Sequence, residues 1–314
     1  MHREGGPESL FERSGTALEL LAARAQEYVT AARAPATLRA YRSDWAEFSS
    51  WARDRDLVTL PAEPSTVALY LTDLAGLAKN STLARRLASI SAAHRAAGHP
   101  SPTDDPGVKA VWAGSRRTHG SVPDRAAPIT VPLLRRMVDA LPAGLGGLRD
   151  RALLLVGFAG ALRRSELVAL DVADVSERDE GLVIVLRRSK TDHEGAGREV
   201  GLPYGSNPAT CPVRSLRVWV DMAGITAGPL FRPVDRHGKI SDNRLSAAGA
   251  NRIVQRAVAR TGADPRLYSA HSLRAGLATA AAEAGVPERS IMNQTGHRSL
   301  VVARGYIRRG SLFR

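Results

Sequence analysis

Between residues 118 and 128 the chain reads THGSVPDRAAP, a polar stretch with two prolines and no apolar period. Such a segment neither joins a core nor propagates a helix, so the residues on either side must close two separate cores. A length of 314 residues is enough for both. The reading is a first domain at 14–118, a linker at 119–128 and a second domain at 129–314.

Apolar spacing sets the elements in each part. Residues 16–32 (TALELLAARAQEYVTAA) favour helix, and a second helix carries Leu38, Tyr41, Trp45, Phe48 and Trp51 on one stripe, at steps of 3, 4, 3 and 3. That stripe reads as core; a base-stacking platform is the other reading. Pro64-Ser65-Thr66 opens a short helix ending at Leu74 or Leu77, Leu83, Leu87 and Ile90 mark a fourth, and residues 107–117 add a fifth after the turn-rich GHPSPTDDPG. The first domain is all-helical on this reading.

Past the linker, residues 131–141 and 148–162 read as helices. The apolar run at 152–162, ALLLVGFAGAL, has 11 residues, short of the roughly 20 that span a bilayer. It is therefore a buried core helix, and residues 163–170 continue or restart it after Gly160. Residues 182–186 (LVIVL) and 198–202 read as strands joined through the turn TDHEGAG, which puts Lys190 of RRSKTD near a hairpin tip. Helices are expected at 213–222, 243–259, 272–283 and 287–294, with a short last one from about Leu300. The fold class is mainly α with a small β-sheet.

Charge narrows the function. The formal net charge is +13, and it is uneven: the first 125 residues hold 16 basic and 14 acidic groups, the remainder 28 and 17. A polyanion is the expected partner, either nucleic acid or an anionic membrane surface, and it is gripped by the second domain. Arginine richness from genome base composition would leave part of the same mark. The single Cys211 allows neither an internal disulfide nor a thiolate-rich zinc site, which suits a reducing cytoplasm. The N-terminus MHREGGPESLFERSG lacks the apolar run of a signal peptide.

The second domain then sets out, in order, Arg163 in GALRRSEL, Lys190 in RRSKTD, His271 and Arg274 in HSLR, His297 in GHRS and Tyr306 in RGYIR. Two guanidiniums can neutralise phosphate oxygens, an ammonium or imidazole can protonate a departing oxygen, and a phenol can attack phosphorus. Glu166 stands three residues after Arg163, on the same helical face, where it can hold the guanidinium; a surface ion pair would give the same spacing. His271 and Arg274 share a face at a helix start, where free N–H groups favour a phosphate. Lys190 is one of four lysines among 44 basic residues, and proton donation needs a group whose pKa can be lowered, which arginine does not supply. Lys239 is the rival for that role. Each residue alone reads equally as structural; the order and context of all six do not.

In that order GALRRSEL, SKTD, HSLR, GHRS and RGYIR resemble the motifs of the tyrosine recombinase, or phage integrase, family, over the chain from about Pro128 to Arg309 and more loosely over the helical first domain. The resemblance implies a SAM-like, core-binding helical domain on double-stranded DNA and an α+β catalytic domain of the DNA breaking-rejoining type. It implies that Arg163 and Arg274 clamp the scissile phosphate, that Lys190 is the general acid, that His271 and His297 assist phosphate binding and proton transfer, and that Tyr306 forms a 3′-phosphotyrosyl bond. It further implies strand exchange on a homo-tetramer in the cytoplasm, with no metal, ATP or membrane. Only eight residues follow Tyr306, so docking of a tail on a neighbouring subunit by that route is not expected unless the chain is a truncated product. A type IB topoisomerase and a non-catalytic DNA-binding regulator are the alternatives; supercoil relaxation on DNA without a specific site would mark the first.

Overall fold

The structure is a computed structural model, and it describes residues 18–21, 24, 28, 35–120, 126–187 and 197–296. The described residues of the first expected helix (18–21, 24 and 28) are helical. Lys190 and the turn around it, His297 and the segment holding Tyr306 lie outside the described residues. The chain separates into two compact units, Met1–Asp124 and Arg125–Arg314. Among the described residues no helix is long and apolar enough to cross a membrane.

The first unit contains α1 (Pro35–Arg53), α2 (Pro64–Leu74), α3 (Asn80–Ala96) and α4 (Pro106–His119). Asp105 starts α4 by accepting from the Gly107 and Val108 amides, with Pro106 at the first helical position. The stripe on α1 is core in part: Phe48 is buried, Trp45 and Trp51 pack half-buried against it, and Leu38 and Tyr41 are half-buried outside that cluster. Phe48 is fully buried, its ring 5.1 Å from Tyr70 of α2 and 5.5 Å from Trp45. Val67, Leu71, Leu83, Ile90 and Val108 complete the cluster. His94 is buried as a neutral tautomer: Nδ1 donates to the Ile90 carbonyl at 2.8 Å and Nε2 accepts from the Ala62 amide at 2.8 Å. Helix α4 runs through His119, so the first two residues of the breaker stretch, Thr118 and His119, are still helical.

The second unit is built around one helix buried on two sides. Its elements are α5 (Val131–Asp139), α6 (Leu145–Ala159), α7 (Arg164–Ala169), strands β1 (Val175–Arg178), β2 (Gly181–Leu186) and β3 (Arg198–Pro203), then α8 (Pro212–Ala223), α9 (Ala247–Arg260), α10 (His271–Glu283) and α11 (Glu288–Thr295). Leu153 and Val156 of α6 join the core formed with the sheet, Trp219 and Phe231. Leu154, Leu155 and Phe158 face a second core with Ile129, Met137, Val254 and Leu273. Being apolar all round from Ala152 to Ala159, α6 belongs between two layers there, and each fully buried Leu contributes about 1.5–3 kcal/mol.

The three strands form an antiparallel sheet in the order β1-β2-β3, with Val175 opposite Ile184 and Leu186 opposite Arg198. Leu182, Ile184, Leu186, Val200 and Leu202 turn inward. Strand β1 was not expected from the sequence: VSER is four residues with one apolar side chain, and its pairing comes from β2. Helix α9 begins at Ala247, not 243, because Ser246 caps it by accepting from the Gly249 amide. Arg244 is meanwhile drawn off to the Val168 and Leu170 carbonyls and to Asp171.

The chain entering this unit is stitched to the start of α10: the Ala127 amide donates to the Leu267 carbonyl at 2.8 Å, and the Ile129 amide to the Ser272 carbonyl at 3.0 Å. Gly276 permits this, since a Cβ there would stand 2.0 Å from the Ile129 oxygen. Gly276→Ala therefore lowers stability by about 1–3 kcal/mol through overpacking. The check is a urea melt, in which the midpoint falls while the slope stays unchanged.

Candidate active site

Helix α6 stops at Gly160, and the chain swings round through Ala161 at φ +47° into Arg163, the extended N-cap of α7. A left-handed conformation at a residue with a Cβ is uncommon and costs about 1–3 kcal/mol, so neighbouring contacts must hold it. One of them is visible: Nη1 of Arg274 donates to the Ala161 carbonyl at 2.8 Å. Arg274 lies in the first turn of α10 and is 1% exposed. Its guanidinium is thereby tied to the turn that delivers Arg163.

Arg163 is held by Glu166. Nη1 reaches Oε1 at 2.6 Å, the Arg163 amide donates to Oε2 at 2.9 Å, and the carboxylate is buried. Two contacts to one side chain fix both the backbone and the guanidinium of the same residue. The other end of Arg163, Nη2, meets the Gly296 carbonyl at 3.4 Å. Gly296 ends α11 in the left-handed conformation, φ +64°, which glycine adopts without strain.

His271 is the first residue of α10, its amide donating to Ser269 Oγ at 3.2 Å. The residue is exposed. Desolvation lowers its pKa, and the positive charges of Arg274 and then Arg163 lower it further. Each of these effects favours the neutral imidazole, the form able to take up a proton.

The structure therefore brings Arg163, His271 and Arg274 together, although the turn holding the first precedes the helix holding the others by about a hundred residues. The connection between β2 and β3, which contains Lys190, starts and ends at the paired residues Leu186 and Arg198. At its start Arg187 is anchored by an ion pair to the buried Asp174 at 2.6 Å. From Gly296 the chain passes directly to His297. Lys239 sits in an exposed turn, its amide bonded to Asp235. Among the described residues no group of His, Cys, Asp and Glu could hold a metal ion.

Arg198 was missed by sequence reasoning. Its guanidinium lies beside Glu166 at 3.6 Å and donates to the Gln294 carbonyl at 3.1 Å. No periodicity or motif marks it, because it is a strand residue whose partners come from two distant helices.

A helical unit followed by an α+β unit, with paired guanidiniums and an imidazole in their field, is the build of a protein that handles the phosphates of nucleic acid. Comparison with known proteins specifies which. Residues 130–310 match the phage integrase family and residues 26–99 its N-terminal SAM-like domain. An integrase/recombinase xerD homolog of Selenomonas ruminantium is 38% identical, the match covering 94% of this chain and 88% of that protein. The recombinase cre of Escherichia phage P1 is 26% identical over 83% of this chain and 80% of that protein. In fold the chain is similar to lambda integrase (residues 75–356) bound to DNA, with TM-score 0.61, 19% identity, and coverage of 90% of this chain and 93% of that one. The chain belongs to the phage integrase family.

Proposed function

We propose that this chain is a site-specific DNA recombinase that cuts and rejoins double-stranded DNA through a 3′-phosphotyrosyl intermediate. The observation that supports it most is the joint anchoring of Arg163 and Arg274 at the Ala161–Glu166 turn, in a chain alike over nearly its whole length to a recombinase. Arg163 and Arg274 bind the non-bridging oxygens of the scissile phosphate and stabilise the added charge of the pentacoordinate state. Tyr306 attacks phosphorus, the bond to the 5′-oxygen breaks, and Lys190 gives that oxygen its proton. His271, kept neutral, takes the phenolic proton, and His297 donates to the phosphate. Attack by a 5′-hydroxyl on the phosphotyrosine reverses these steps and rejoins the strand without another energy source. The first domain, 14–118, binds DNA as a SAM-like module while 129–314 performs the chemistry, and four copies act on two paired sites in the cytoplasm.

The test uses duplexes nicked near the cut, from which the released fragment diffuses away and leaves the protein attached. Covalent adducts on denaturing gels, sequenced at the attachment point, are the expected result and would identify the target; no adduct with any DNA offered would sink the proposal. Binding should also weaken steeply with salt, the logarithm of affinity falling with a slope of about 0.9 per phosphate contacted. Fluorescence anisotropy between 50 and 200 mM salt, about 10³-fold apart for six or more contacts, measures it; a flat response rules out a grip on the phosphate backbone.

A further inference from the structure

Arg198, which opens β3, touches parts of the site that lie far apart in the sequence. Nη1 donates to the carbonyl of Gln294 in the last turn of α11 at 3.1 Å. Nη2 lies 3.6 Å from Oε2 of Glu166, the carboxylate whose other oxygen holds Arg163. A Cβ on Gly296 would come within 2.8 Å of Nε, so the side chain occupies the space that glycine leaves. Arg198 is 19% exposed. Burial draws its pKa down, Glu166 draws it up, and repulsion from Arg163 lowers it again.

One buried carboxylate thus faces two guanidiniums. A Glu166–Arg163 pair standing alone would be close to neutral and would present little charge to a phosphate. Sharing Glu166 with Arg198 leaves these three side chains with one positive charge in excess, in a largely desolvated setting where charge is weakly screened. The contact with Gln294 has a second consequence. A cation at a helix C-terminus complements the helix dipole, and here it fastens the end of α11 from which the chain runs into His297.

We propose that Arg198 is a positioning residue for DNA cleavage: it balances Glu166 so that Arg163 keeps its charge for the phosphate, and it fixes the C-terminus of α11 against β3. The proposal rests on the recombinase reading above. It does not place Arg198 on the DNA. Gln294 reinforces the same junction, its Nε2 donating to the Ala159 carbonyl at 2.9 Å and the Gly201 carbonyl at 3.2 Å.

The experiment compares wild type with Arg198→Met, which removes the charge, Arg198→Lys, which keeps it, and Arg198→Gln, which can still donate to Gln294 and serves if the Met protein does not fold. Single-turnover covalent attachment to nicked DNA should fall about tenfold in the Met and Gln proteins, an indirect share of the roughly hundredfold that removing a direct donor costs. The Lys protein should stay within threefold of wild type, and the salt slope of DNA binding should be the same in all four. In DNA-free protein, the His271 imidazole should titrate higher in Arg198→Met than in wild type or Arg198→Lys by NMR, since the cluster has lost a cation. The idea is overturned by Met and Gln proteins that cleave at the wild-type rate, by a Lys protein as slow as the Met one, or by an unmoved His271. A salt slope lower by about one would instead make Arg198 a direct phosphate contact and overturn it too. Wild-type protein that forms no adduct defeats the recombinase reading, while the His271 titration still decides the role of Arg198.

Discussion

A Tyr306→Phe protein is expected to bind its DNA with unchanged affinity and to form no covalent complex. The substitution removes one oxygen and leaves the ring, so the basic residues are retained while the atom proposed to attack is gone. An unperturbed phenol has a pKa of about 10, leaving under about 1% ionised at pH 7, so its ionisation depends on neighbours. On the proposed mechanism His271, its pKa lowered, is the acceptor and the cations Arg163 and Arg274 supply the field. Denaturing gels with nicked substrate and anisotropy with intact duplex separate attachment from binding. Adduct formation by the Phe protein at the wild-type rate would show that another nucleophile operates.

Arg274→Lys is the second large effect. The substitution keeps the charge and loses the planar fork. In the wild type, one arm of the fork is committed to the Ala161 carbonyl. An ammonium on a shorter, flexible stem cannot hold that carbonyl and also present paired donors to a phosphate, so the two residue types are not interchangeable here. The rate of covalent attachment should drop about 10²-fold or more. Because Ala161 is held in a left-handed conformation beside Arg163, the same change loosens the turn, and melting should shift downward as well. A Lys protein that retains a tenth or more of the wild-type rate would mean that charge alone suffices at this position. The contrast with position 198, where lysine is expected to serve, separates a residue proposed to grip the phosphate from one proposed to balance charge behind it.

Much of the architecture could be read from spacing. The stripe from Leu38 to Trp51 gave α1 and its buried face, because a helix exposes one side and 3.6 residues per turn fixes which positions lie on it. The run at 152–162 gave α6, since a helix apolar all round has nowhere to go but between layers. The β2–β3 hairpin showed in its β-branched residues and the glycines between them. Strand β1 did not show: Val175–Arg178 owes its extended conformation to hydrogen bonds with β2, and pairing partners are not encoded in a four-residue window. The start of α9 was misplaced for a similar reason, Arg244 being claimed by Asp171 and two carbonyls distant in sequence.

For the site, the sequence by itself determined the kinds of chemical group available and their order along the chain, including Glu166 one helical turn beyond Arg163. Those follow from residue identity and local periodicity, which survive without coordinates. Only the tertiary structure decided that Arg274 holds the Ala161 carbonyl, that His271 lies within the field of both arginines, and that Arg198 shares the carboxylate of Glu166. Charge–charge energy and desolvation depend on distance and burial, and both are set by how α7, α10, α11 and β3 pack together, which no window of neighbouring residues contains.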